Sequence, residues 1–293
     1  MIRLATAEGV VDLTDDDRIV QLRGQGVRAL SNRWAVLDRE AVTTLDGTIN
    51  VTFPELRPWC VAALPGDDSA LVGTAEAHVF RVAADGGAEP VDSFDAIPTR
   101  DEWYTPWGGP PDVRSLAVGP GRDVFVNVHV GGIWLGPAGA DKWEAIVEVD
   151  ADVHQVTVAG DGRTVVAAAA IGCGVSTDGG RTWQWSDDGL HASYCRAAAV
   201  AGDMVLVTAS TGPSTRSGAV YRRPVGSDGP FEPCTNGIPE TFPYNLDTHS
   251  LAAVGADVAL GTRDGRLFVS ADAGGSWDLV ADDLPEIRSV ELV

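Results

Sequence analysis

Four bases that each stand near the start of a short apolar strand have an acid two residues ahead: Asp112 precedes Arg114, Asp152 His154, Asp247 His249, and Glu286 Arg288. On an extended strand that spacing puts both side chains on one face, so each pair can act as a unit. A carboxylate beside an imidazole orients the ring, and imidazole titrates near neutrality. His154, His249, Asp152 and Asp247 are therefore the candidates for acid–base chemistry. The same four residues, with His129 or His191, offer mixed imidazole and carboxylate ligands to a divalent metal, with His154 and His249 as the central pair. A guanidinium meets two oxygens of a carboxylate or phosphate at once. Arg28, Arg114, Arg196 and Arg288 are accordingly candidates for clamping an anionic group, with Tyr194, His129 and His191 as further ligand contacts.

These residues recur in step with a repeat of roughly 40 residues, the period of a solenoid or propeller. The phrase is a short apolar strand opening beside a charged or polar residue. It appears as Val27-Arg28-Ala29-Leu30, Trp59-Cys60-Val61-Ala62, Val113-Arg114-Ser115-Leu116 and Val153-His154-Gln155-Val156, and again from Cys195, Thr248 and Ile287. A turn and a second apolar strand follow each phrase but the last, and no long helical period intervenes, which reads as all-β. The seventh phrase has no partners after it, while the N-terminus carries three unclaimed strands near 2–6, 10–13 and 18–22. The expected architecture is a single seven-bladed β-propeller over residues 1–293, built of four-stranded antiparallel blades. The C-terminal strand closes the ring beside the N-terminal ones and leaves no open sheet edge there. In that register Arg28, Cys60, Arg114, His154, Arg196, His249 and Arg288 face the mouth of the central channel. All five histidines, His78 included, fall near the same end, as do Cys173 and Cys195.

Two segments carry a more specific pattern. Ser176-Thr177-Asp178-Gly179-Gly180-Arg181-Thr182-Trp183 returns as Ser270-Ala271-Asp272-Ala273-Gly274-Gly275-Ser276-Trp277. The shared S-x-D-x-G-x-[TS]-W resembles the Asp-box, or BNR repeat, of β-propellers such as sialidases, sortilin-type receptors and photosystem assembly factors. The Asp side chain can bond backbone N–H groups across a tight turn, the glycines allow positive φ, and the Trp packs under the turn. The resemblance implies a propeller fold. Through the sialidases it implies a hydrolase of glycosidase type with an arginine cluster, although this chain has no F/Y-R-I-P element near its N-terminus.

The stretch from Asp95 to Pro111 is too long for an interblade link. Long loops on compact domains tend to be functional, and Trp103, Tyr104 and Trp107 give this insert an aromatic face expected to act as a lid. A net charge of −21 over 293 residues argues against nucleic acid or an anionic membrane as partner, since both need a basic footprint. No apolar run reaches membrane-spanning length, and the start lacks a basic and then apolar leader, so a cytoplasmic location is expected. The four cysteines have no C-x-x-C spacing and read as free thiols. Three functions fit these residues. One is a pocket at the channel mouth that binds, and as an enzyme converts, a small polar or anionic compound. The second is a metal-dependent hydrolase or lyase. The third is a non-catalytic scaffold for a protein partner.

Overall fold

The structure, a computed structural model, describes residues 1–14, 17–38, 40–138 and 142–293. Its strands form seven four-stranded sheets, antiparallel throughout, arranged as the blades of a propeller. Six blades run through the chain in sequence order from Val27–Ser31 to Asp278–Ala281. The remaining one joins the two ends: Ile287–Leu292 is its innermost strand, paired antiparallel with Ile2–Thr6, which is followed by Gly9–Leu13 and Arg18–Gln21. Leu4 lies opposite Val290 and Ile2 opposite Leu292 in that pairing. The expected closure is therefore the observed one.

The core sits between blades. Sheets pack face to face when inward side chains of one interdigitate with those of the next, and each apolar cluster here spans two neighbours. Leu206 and Val220 of the sixth blade meet Leu260 and Phe268 of the seventh. Leu4, Val11 and Val290 of the closing blade meet Ala259 and Leu267. Cys60, Val79 and Val113 meet across the third and fourth blades, where Phe94 and Trp103 also pack. All four cysteines are buried free thiols. No helix among the described residues is long and apolar enough to cross a membrane.

The two S-x-D-x-G-x-[TS]-W segments adopt the same hydrogen-bond pattern. Ser176 Oγ bonds Asp178, Gly180 N donates back to Ser176 Oγ, and Asp178 accepts from both the backbone N and the hydroxyl of Thr182 at 2.9 and 2.7 Å. Ser270, Asp272, Gly274 and Ser276 repeat those bonds. Trp183 and Trp277 each close the turn by donating their indole N–H to a glycine carbonyl. A shortened version, Thr44-Leu45-Asp46-Gly47-Thr48, makes the hydroxyl and backbone bonds to Asp46 without the Trp. Bonds from the Thr182 and Ser276 backbones, then from the adjoining hydroxyls, hold Asp178 and Asp272 at about 2, below their ordinary 3.8.

Two outcomes follow from this architecture. A chain ending before Ile287 leaves Ile2–Thr6 as an exposed inner edge, and should lose its cooperative thermal transition by circular dichroism. A depressed folded-state pKa adds stability that is present above the unfolded value and lost as pH falls toward the folded one. Melting temperature should therefore drop between about pH 4 and about pH 2, and Asp178→Asn with Asp272→Asn should flatten that drop.

Candidate functional site

A β-bulge inserts one residue that has no partner on the neighbouring strand, and it re-aims that side chain. The inner strands use this device at one level around the ring. Register slips between Val27 and Ala29, Pro58 and Cys60, Val113 and Ser115, and Val153 and Gln155 leave Arg28, Trp59, Arg114 and His154 unmatched. A longer slip between Cys195 and Ala198 does the same for Arg196, and one opposite Ala5 and Thr6 for Arg288. In the seventh blade His249 reaches the same level through a left-handed backbone, φ 66°, just ahead of the strand Leu251–Val254.

Arg28, Trp59, Arg114, Arg196, His249 and Arg288 line a cavity of about 740 Å³ at this end of the channel. Cys60, expected here, does not. The bulge falls one residue earlier, so Trp59 takes the mouth position and the Cys60 thiol turns into the interblade core, where it contacts the Val113 carbonyl. Burial pushes that thiol far above its usual range.

The four expected arginines are at the cavity wall, but not as equals. Asp38 takes both Arg28, at 3.3 Å, and Arg288, which also reaches Glu286. Asp247 pairs with Arg196 across two blades and is not the partner of His249. Arg114 has no carboxylate within ion-pair distance among the described residues. Sequence reasoning missed Arg57 and Arg263, which also line the cavity. Two guanidiniums lie against the Trp59 ring, Arg28 at 4.5 Å and Arg57 at 5.0 Å from its centre. In all, six arginines and three carboxylates (Asp38, Asp247 and Glu286) line the cavity, an excess of three positive charges in a chain of net charge −21. Burial, and then the charge of Arg196, weakens the hold of Arg114 on its proton; burial and Arg57 do the same to Arg28.

The inner strands brace one another beside this cavity. Gln155 accepts the His249 N–H at 2.8 Å and donates to the Ala198 carbonyl, while the Thr248 hydroxyl reaches the His154 and Arg196 carbonyls. His249 Nε2 is buried without a hydrogen-bond partner. Burial, helped by the charge of Arg114, lowers its pKa to about 4.

His154 points away from the main cavity, into a cluster with His129 and Asp152. His129 Nε2 lies 3.2 Å and His154 Nε2 3.8 Å from Asp152 Oδ1. One ligand atom from each of the three residues lies within 4.8 Å of the others. Four ligands held tetrahedrally at 2.0–2.2 Å from a metal stand roughly 3.4 Å apart, which the two measured separations bracket. The His154 Nδ1 sits 2.6 Å from the Cys195 carbonyl. That carbonyl can only accept, so Nδ1 carries the proton and the Nε2 lone pair is left facing Asp152. Nε2 of His154 is buried without a hydrogen-bond partner, and Asp152 Oδ1 has only the 3.2 Å approach of His129 Nε2; His129 Nδ1, also unpaired, is the ring nitrogen farther from Asp152. Asp152 adopts a left-handed backbone, φ 48° and ψ 64°, a strained state for a non-glycine residue. Burial acts to raise its pKa, but the His129 hydrogen bond and the charges of His154, His129 and Arg114 outweigh it and leave the carboxyl below its ordinary range. Burial lowers the pKa of His154.

Tyr194 lies over the His154 ring at 4.6 Å, and Trp107 over His129 at 5.1 Å. Within the 95–111 insert, the expected aromatic face divides. Trp103 is 6% exposed and packs with Phe94 and Trp134, so it anchors the insert and is no part of an open lid. Tyr104 and Trp107 stay exposed, Trp107 at 71%. His78, paired with Asp95 at 2.8 Å, pins the start of the insert to the third blade. His191 lies in neither place; its ring bonds the Tyr221 hydroxyl at 2.8 Å. His249 and Asp247 line the cavity and do not join the His129–Asp152–His154 cluster.

No family model matches this chain, and no curated protein matches it in sequence. Among solved structures it is similar to the GH74 enzyme of Niastella koreensis, with a TM-score of 0.59 and 14% identity. The match covers 95% of this chain and 46% of that one; at this identity the likeness is one of fold.

The buried environment of His249 gives a direct check. Its ring resonances should stay at their neutral positions from about pH 8 to about pH 5, through the range where an ordinary histidine titrates, and Arg114→Gln should raise its pKa.

Proposed function

We propose that this propeller is a metal-dependent enzyme, a hydrolase or lyase, working at the channel mouth through His129, Asp152 and His154. The observation that carries this reading is the convergence of two imidazoles and one carboxylate on one spot, where His154 Nε2 is buried facing Asp152 without a hydrogen-bond partner. Buried polar groups are otherwise nearly always paired, and nitrogen with oxygen donors in this set suits zinc or a similar divalent ion. A metal held there would supply Lewis-acid polarisation of a substrate oxygen. The residues themselves do the positioning. The Cys195 carbonyl fixes the His154 tautomer, Asp152 supplies the negative charge, and Tyr194 and Trp107 keep water off the rings. His129 and His154 are 3% and 1% exposed, whereas the Asp152 side chain keeps 24%, so approach is from the Asp152 side.

The neighbouring arginine-lined cavity supports a polar or anionic substrate. Its excess positive charge is the feature that distinguishes this end of an otherwise acidic protein, and arginine matches carboxylate and phosphate oxygens in pairs. Arg114 carries most of this, because it lines the cavity, its charge reaches Asp152, and it has no carboxylate in ion-pair range among the described residues. The 14% likeness to a glycoside hydrolase propeller is consistent with hydrolase chemistry and names no substrate.

Elemental analysis of protein purified without chelator should find about one divalent ion per chain. His129→Ala, Asp152→Asn and His154→Ala should each lose it while the propeller still melts cooperatively. Wild-type protein that takes up no zinc, manganese, iron or nickel by calorimetric titration would sink the proposal.

A further inference from the structure

The main cavity does not end at Arg196. Beyond the Arg196–Asp247 ion pair lies a side lobe of about 230 Å³, between the turn at 211–217 and the segment around Asn245. Arg196, Asn245, Asp247 and Arg263 border both spaces, so the two are contiguous. The charge of Arg196 is taken up by Asp247. Arg216 and Arg263 remain, and neither has a carboxylate in ion-pair range among the described residues. The acid next to Arg263 in sequence, Asp264, is occupied by Arg266 at 2.8 Å. Arg263 rests against the Tyr244 ring at 5.6 Å.

The lobe is built, not incidental. The Asn245 amide donates to the Gly212 and Pro213 carbonyls at 3.2 and 2.9 Å, and its oxygen accepts from Ser210 at 2.6 Å. The hydroxyls of Thr211, Thr215 and Ser217 are linked to one another. Gly218 and Phe242 exchange backbone bonds at 2.9 and 2.7 Å. Both walls are thus held before anything binds, which lowers the ordering cost of binding.

Guanidiniums with no carboxylate in ion-pair range among the described residues therefore stand at two separate places along one continuous space: Arg114 and Arg57 in the main cavity, Arg216 and Arg263 in the lobe. We infer that the ligand is an elongated small molecule with two separated anionic groups, carboxylate, sulfate or phosphate, and that Arg216 and Arg263 hold the second of them. This rests on reading the cavity as the substrate site, and not on the metal. Two linked anions bound at two sites gain from effective concentration, and only at a spacer length that spans them.

The test is calorimetric titration of the full chain with α,ω-alkane bisphosphates of graded chain length, compared with inorganic phosphate. One length should bind about tenfold or more tighter than phosphate. The double variant Arg216→Ala with Arg263→Ala should cancel that preference, so that the best-fitting length binds the variant no tighter than phosphate does. Both side chains are exposed, so the melting temperature should not move. Absence of any length dependence, or a double variant that binds as wild type, overturns the inference. Repeating the comparison in Asp152→Asn separates it from the metal reading: the length preference should persist there, and its disappearance would assign the second anion to the metal and overturn the lobe.

Discussion

The structure depends on one pairing, that of Ile287–Leu292 with Ile2–Thr6. A blade with its inner strand missing would present unpaired backbone groups to the channel, and the apolar cluster it shares with its neighbour would lose Ile287 and Val290. Closure also creates electrostatic contacts that no local segment could make. Asp38 and Arg288, 250 residues apart, form an ion pair only because the last strand returns beside the first blades. The mouth cavity is a product of that ring.

Within the ring, the bulges carry the functional geometry. Regular alternation would send alternate residues of an inner strand into the layers between blades and the rest toward the axis. A bulge at one level in six of the seven inner strands interrupts that alternation, and it delivers large side chains to a common height. Arginines occupy most of those positions, and Asp38, Glu286 and Asp247 neutralise only part of the charge. A local field opposite in sign to the net charge concentrates anions at one end of an acidic body.

The His129–Asp152–His154 cluster belongs to the same level but faces a different way. It combines a turn residue between two strands, a left-handed residue ahead of an inner strand, and a bulge residue on that strand. Its rings are shielded by Tyr194 and Trp107, which come from the next inner strand and from the insert. Four separate segments therefore converge on a few ångströms, which is the sort of site that a propeller can host without altering its scaffold.

The sequence by itself determined the architecture. Seven recurring strand phrases, two Trp-terminated Asp turns and three unclaimed N-terminal strands were enough to count blades and close the ring, because strand periodicity and turn chemistry are local properties. It also placed Arg28, Arg114, Arg196 and Arg288 at one end, since they share a position in the repeat. Tertiary structure alone decided what those residues meet. A bulge shifts phase by one, so Trp59 and not Cys60 faces the mouth. Asp247 and His249 share a spacing with Asp152 and His154, yet Arg196 captures Asp247 from another blade while Asp152 keeps His154 and gains His129. Arg57, Arg216 and Arg263 lie in turns and connections, which have no period to betray them, and Trp103 could be told from Trp107 only by what packs around it. Pattern records which way a strand faces; which charges meet across a channel depends on distances between segments remote in the chain, and those exist only once the ring is closed.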